Sequence, residues 1–166
     1  SVGTVNTGKN RVKGIEFGLA GNVTEKLSAF AGVSFMRAEV LESVTAANVG
    51  KTLSNFADRT ASAQLRYQLT PKFAFGTAVK YESKKYAGQP DTAAAYSTTT
   101  GEYSQPVPAY TVMDLFADYR LTKSAKVRLN VGNVFDKDYY LAAYRSGSFL
   151  YKGDGRNARV TFNYEF

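Results

Sequence analysis

The chain of 166 residues has no cysteine, no histidine and no tryptophan. Without cysteine there is no disulfide framework, zinc–thiolate site or thiol nucleophile. Without histidine the commonest metal ligand and general base are missing, and no Ser–His–Asp triad can form within the chain. No apolar run approaches the roughly 18 residues of a membrane-spanning helix. That leaves a membrane β-barrel open, since a barrel strand needs only about 9–11 residues and half of them can be polar. Ser1 to Val5 have neither the charged start nor the apolar core of a secretory signal. The net charge is +7. It suits a solvated basic surface, an acidic ligand or anionic lipid. The lysines and arginines are scattered and form no stripe, which speaks against nucleic acid as a partner. No catalytic residue, metal or cofactor is expected.

What the chain does have is alternation, with 12 tyrosines and 11 phenylalanines. In the last residues Ala158, Val160, Phe162, Tyr164 and Phe166 share one face of a strand. Asn157, Arg159, Thr161, Asn163 and Glu165 share the other. The period of two is unbroken, and large charged groups on the polar face suggest lipid on one side and water on the other.

The same pattern predicts six further strands: Val12 to Val23, Leu27 to Arg37, Arg59 to Leu69, Phe73 to Lys84, Tyr110 to Leu121, and Lys126 to Val134. The seventh runs from Arg156 to Phe166. Thr4 to Asn10 reads as turn or loop. Connections alternate between tight turns (Thr24 to Lys26, Thr70 to Lys72, Thr122 to Ala125) and stretches of roughly 20 structureless residues (38–58, 85–109, 135–155). Short turns at one end and long loops at the other are the asymmetry of an outer-membrane barrel. The fold class is therefore all-β, an antiparallel transmembrane barrel segment of about seven strands. Tyr67, Phe73, Tyr81, Tyr86, Tyr110, Tyr119, Tyr139, Tyr140 and Tyr164 lie near strand ends and suit an interfacial aromatic girdle, or ordinary cross-strand pairing. Seven strands starting at the long-loop end cannot close a bacterial barrel with both termini periplasmic, so a larger chain is expected.

Several segments carry a resemblance. Leu129 to Tyr140, with Asn133-Val-Phe-Asp-Lys-Asp-Tyr139 at its centre, resembles the penultimate-strand motif of TonB-dependent outer-membrane transporters, with Val134 in place of the family's leucine. Val107 to Asp114, Lys13 to Phe17, Tyr151 to Arg156 and Arg159 to Phe166 fit the same pattern. The resemblance covers nearly the whole chain and is closest to the siderophore-receptor type. It implies a barrel of about 22 strands in the bacterial outer membrane, with residues 1–166 as the C-terminal part of its wall. It also implies a plug domain and a TonB-contacting segment, both outside this chain. Implied partners are outer-membrane lipid, TonB, the barrel assembly machinery and a ferric siderophore or similar scarce nutrient. A complete small barrel, such as an adhesin, and a soluble all-β binding module are the alternatives.

Candidate site residues fall into three sets. Arg145, Tyr151, Lys152, Tyr144 and Tyr103 lie in the long loops, where aromatic faces and cationic donors suit an anionic ferric siderophore. Asp118, Arg120, Arg66 and Arg128 lie on the polar face, where they can meet a plug or pair with one another. Phe166, Tyr164 and Phe162 resemble the terminal aromatic signal read by the assembly machinery. Asp114 and Asp118, four residues apart on a strand, stand about 13 Å apart and form no catalytic pair. Asn133, Phe135, Asp136 and Tyr139 read as a turn in which Asp136 accepts backbone N–H groups, with Tyr139 at the membrane interface.

Overall fold

The computed structural model describes residues 8–87, 96–97, 99–100, 102–103, 105–144 and 149–166. Seven long strands form one antiparallel sheet: β1 (Gly8–Asn22), β2 (Leu27–Ser43), β3 (Arg59–Gln68), β4 (Phe73–Glu82), β9 (Tyr110–Arg120), β10 (Ala125–Gly132) and β13 (Asn157–Tyr164). They lie side by side in chain order, β1-β2-β3-β4-β9-β10-β13. All seven expected strands are present.

The register explains why the sheet has two unlike faces. Ile15 stands opposite Phe35 and Phe17 opposite Val33. Tyr67 stands opposite Phe75, and Phe73 opposite Tyr119. Leu129 stands opposite Val160, and Val127 opposite Phe162. Each pairing keeps apolar residues on the same side across all seven strands. That side is bare: Leu19 is 77% exposed, Phe17 63% and Phe162 60%. A soluble monomer does not expose so continuous an apolar face, whereas lipid is a matching solvent for it. Among the described residues no helix is long and apolar enough to cross a membrane; the crossing elements are strands.

The opposite face carries Glu16, Ser34, Thr60 and Glu82 in one cross-strand row. A second row holds Gln68, Ala74, Asp118, Arg128 and Thr161. This polar face lines an open cavity of about 1080 Å³.

Three tight turns share one device. The Thr24 hydroxyl accepts the N–H groups of Lys26 and Leu27, and the Thr70 hydroxyl those of Lys72 and Phe73. The Thr122 hydroxyl accepts that of Ser124. Local side-chain acceptors of this kind close a turn without a glycine.

The structure differs from the sequence expectations in several places. Strand β1 already runs from Gly8, because Gly8 pairs with Ser43 and Arg11 bonds Glu39. Strand β2 continues past Arg37 to Ser43. There Ala38 and Val40 are buried, and the Val40 backbone bonds Lys51 and Gly50. Strand β4 ends at Glu82 and β10 at Gly132. Strand β13 ends at Tyr164, and Phe166 lies beyond it, fully exposed.

The long connections are not structureless. A short 3-10 turn spans Ala46–Asn48. Strand β5 (Lys85–Tyr86) pairs with β8 (Pro106–Val107), and β6 (Tyr96–Ser97) with β7 (Glu102–Tyr103). Strand β11 (Tyr140–Tyr144) and β12 (Phe149–Lys152) form a separate hairpin. Ala87, Val107 and Ala143 make a small buried core between these loops, with Tyr140 packed against it.

Tyr67, Phe73, Tyr119 and Tyr164 do cluster on the apolar face toward the short turns. Tyr86, Tyr110 and Tyr139 do not. Tyr86 and Tyr110 are buried, and Tyr110 follows strand parity onto the polar face opposite Glu82.

Candidate functional site

The polar face is organised around Asp118, a carboxylate only 4% exposed. Strand β10 sets Arg128 directly opposite it. The guanidinium Nε and Nη2 donate to the two carboxylate oxygens at 2.5 and 2.7 Å. This fork geometry is the strongest form of the ion pair. Arg66, two strands away, adds a contact of 3.5 Å from its own guanidinium and donates to Gln68 at 2.9 Å.

A small residue makes this arrangement possible. A Cβ at Gly76 would lie 2.5 Å from the Phe116 ring. Gly76 therefore leaves room for that ring, and the Arg128 guanidinium lies 5.4 Å from the ring centroid. Ring and carboxylate together fix Arg128. Three of the four polar-face candidates, Asp118, Arg66 and Arg128, thus come together. Arg120 is apart from them: it stands opposite Lys126 at the short-turn end, beside a smaller cavity that Asn163 and Glu165 also line.

A second centre was not expected. Glu82 accepts from the Tyr110 hydroxyl at 2.8 Å and bonds the Lys85 ammonium, which is buried. Lys80 lies 3.9 Å from the same carboxylate. Glu82 is legible in the sequence as a polar-face charge; its partners are not, because Lys85 lies beyond the strand and Tyr110, near a strand end, suits a girdle or a cross-strand pair equally well.

The turn after β10 is a hub built on Asn133 more than on Asp136. Asn133 is buried and has φ of 48°, a left-handed conformation that asparagine tolerates better than most residues. Its amide donates to the carbonyls of Lys137 and Asp154 at 2.9 and 3.0 Å. Its side-chain oxygen accepts the Lys137 N–H, and its own N–H donates to Asp114. Asp136 accepts a backbone N–H as expected, that of Arg156 at 2.8 Å. Tyr139 is not interfacial: its ring packs at a tilt against Tyr110, centroids 4.7 Å apart, and covers Gly153, where a Cβ would lie 2.0 Å from ring carbon. Burial, with Asp154 and Asp114 nearby, raises the Tyr139 hydroxyl above its ordinary value. Phe135 is exposed.

The loop end is tied together by Asn55, in a left-handed conformation with φ of 52°. Its amide donates to the Ala143 carbonyl at 2.7 Å and its oxygen accepts the Ala143 N–H at 2.9 Å. The Asn55 N–H donates to the Tyr86 carbonyl. One side chain thereby imitates a strand neighbour for β11 and joins three connections. No sequence signal pairs residues 55 and 143.

The β11–β12 hairpin carries most of the loop candidates. Tyr144 faces Phe149 with ring centroids 6.4 Å apart. Tyr151 is exposed. Lys152 bonds Asp138 at 2.5 Å, which raises its ammonium above the ordinary lysine value. Tyr103 pairs through its backbone with Tyr96; its side chain and all of Arg145 lie outside the described residues. Phe162 and Tyr164 project from the apolar face, and the Phe166 ring meets Tyr164 edge-on at 5.2 Å. Among the described residues no cluster of carboxylates could hold a metal ion.

Known proteins resemble this chain in sequence and in sheet. The family model described as TonB dependent receptor-like, beta-barrel, matches residues 2–134. A probable TonB-dependent receptor, BfrD of Bordetella pertussis, is 32% identical over 96% of this chain and 21% of its own length. The catecholate siderophore receptor Fiu of Escherichia coli K12 is 27% identical over 96% of the chain and 20% of its own. The crystal structure of the siderophore receptor PiuA from Acinetobacter baumannii superposes with a TM-score of 0.75 at 24% identity, covering 95% of this chain and 22% of that one. The chain spans about a fifth of the length of these relatives. A seven-strand sheet, bare and apolar on one side and polar on the other, belongs in the outer membrane, in a family of receptors that are not enzymes. The chain belongs to the TonB-dependent receptor β-barrel family.

Proposed function

We propose that the protein carrying this wall imports a ferric siderophore across the outer membrane with energy coupled through TonB. The carrying observation is the match to proteins named as siderophore receptors along 96–97% of the chain. In this reading the chain is the C-terminal part of the barrel, and the plug and TonB-contacting segment belong to the rest of the protein. The long-loop end faces the cell exterior. Tyr144, Arg145, Tyr151, Lys152 and Tyr103 contact the ligand, an anionic chelate whose charge and aromatic arms suit cationic and aromatic groups. Asp118, Arg128, Arg66 and Arg120 face the plug. Phe162, Tyr164 and Phe166 present the terminal strand to the assembly machinery.

Two experiments test this. Deleting the full-length gene should abolish growth on at least one ferric siderophore as sole iron source; unchanged growth across catecholate and hydroxamate panels overturns the transport reading. Alanine at Arg145, Tyr151 and Lys152 in the full-length receptor should weaken uptake of radioactive iron at low ligand concentration. Unchanged affinity overturns the ligand-contact assignment.

A further inference from the structure

The three long connections meet at one residue. Connection 44–58 contributes Asn55, 83–109 contributes Tyr86 and Ala87, and 133–156 contributes the β11–β12 hairpin. Two short strands are marginal as a hairpin in water, and among the described strands β11 pairs only with β12. Its other edge is closed by the Asn55 side chain, which accepts the Ala143 N–H at 2.9 Å and donates to the Ala143 carbonyl at 2.7 Å. The Asn55 backbone N–H donates to the Tyr86 carbonyl at 2.7 Å. The next residue, Ala87, shares a buried core with Val107 and Ala143. Its N–H donates to the Gln105 carbonyl at 3.0 Å. Asn55 makes both links from a left-handed backbone, φ 52°, which a residue other than glycine keeps only where its surroundings fix it.

The hairpin's outer face is set from behind by this junction. Parity turns Ala143 into the core and Ala142 and Tyr144 to the opposite face. Phe149 stands across from Tyr144, and Tyr151 across from Ala142. Three exposed rings therefore share that face, and a shift of Ala143 carries all three with it. We infer, resting on the ligand contacts proposed for Tyr144 and Tyr151, that Asn55 is a positioning residue for them: it joins the three connections into one cooperative unit that holds the ring face in place.

The test uses the intact receptor and the variant N55A. In detergent, hydrogen exchange is followed at Ala143 and at Ala87. Ala87 is the decisive reporter, because its N–H bonds Gln105 and not Asn55. Both amides should speed up together, by about tenfold. Acceleration at Ala143 alone overturns the cooperative unit, and so does no acceleration at either. In cells, uptake is measured with a radioactive ferric catecholate or ferric hydroxamate, whichever the gene deletion shows to be used. N55A should raise KM by about threefold or more, as the fraction of receptor with the rings in place falls, with the maximal rate kept. N55D, which keeps the acceptor for the Ala143 N–H and loses the donor, should lie between N55A and the unaltered receptor. Unchanged KM in N55A, while alanine at Arg145, Tyr151 and Lys152 weakens uptake, overturns this inference alone. Unchanged uptake in both overturns the ligand contacts and the positioning role with them. If N55A assembles poorly, the unaltered receptor decides: the Asn55, Ala87 and Ala143 amides should share one opening free energy. A spread in protection of more than about tenfold among them overturns the unit.

Discussion

Arg128 and Asp118 face each other across β9 and β10 and are joined by two hydrogen bonds of 2.5 and 2.7 Å. Asp118→Asn keeps the shape and removes the charge. It leaves Arg128 and Arg66 facing each other without a carboxylate. Both arginines are partly exposed, so water screens the loss. The expected destabilisation is about 1–2 kcal/mol, read as a lower unfolding temperature of the refolded barrel. Arg66→Gln, which removes only the longer contact, should cost less; the reverse order would contradict the geometry.

Asn133 combines a left-handed backbone with hydrogen bonds to Lys137 and Asp154. Asn133→Gly relieves the backbone and loses the bonds, whereas Asn133→Ala loses both. Glycine should cost about 2–3 kcal/mol and alanine about 1 kcal/mol more. Urea unfolding of the two variants in detergent checks the difference. Equal values would mean that the backbone conformation is not fixed by the asparagine.

The strands were legible because parity is a signal that survives without any partner. Ile15, Phe17 and Leu19 declare a face by spacing alone. Asp118 and Arg128 were legible as neighbours on one face, but their pairing needed the register. Tyr110 suits an aromatic girdle by its position near a strand end, but its parity puts it on the polar face, opposite Glu82. The two strands of the β11–β12 hairpin carry too few residues to alternate visibly. Asn55 was beyond reach altogether, since its partner is 88 residues away and nothing local marks the distance.

Asn55→Ala removes both hydrogen bonds to Ala143. The wall strands should be unaffected and the β11–β12 hairpin loosened. Hydrogen exchange at Ala143 should speed up by about tenfold, the worth of one or two such bonds, while β9 and β10 keep their protection. Unchanged exchange at Ala143 would show that β12 alone holds the hairpin.

Lys152 tests the hairpin from its other side. Asp138 raises its ammonium above the ordinary value of 10.5. A group raised in the folded state stabilises it below the unfolded value, and that contribution is lost as pH climbs through the folded value. The contact therefore persists across the neutral range and slackens only above 10.5. Acylation of Lys152 as a function of pH measures this, and Asp138→Asn should move its onset to lower pH. An identical profile in the variant would remove Asp138 as the cause.

Deleting Phe166 leaves every hydrogen bond of β13 in place, because that strand ends at Tyr164. Any loss of folded barrel in cells should then be a loss of delivery. The prediction is less heat-modifiable barrel in vivo, with refolding in detergent unchanged. Impaired refolding would assign Phe166 to stability.

The threonine-closed turns set a rule for how such a chain can change over generations. A strand has two faces, and the turn before it decides which residues meet which solvent. Deleting one residue from the turn at Thr24, Thr70 or Thr122 would turn the next strand inside out, with lysines and arginines in oil and leucines in water. Steps of two preserve the faces. The long connections have no such arithmetic, because their hairpins and clamps absorb any count. Tolerated insertions and deletions should therefore come in even numbers at one end of this barrel and in any number at the other.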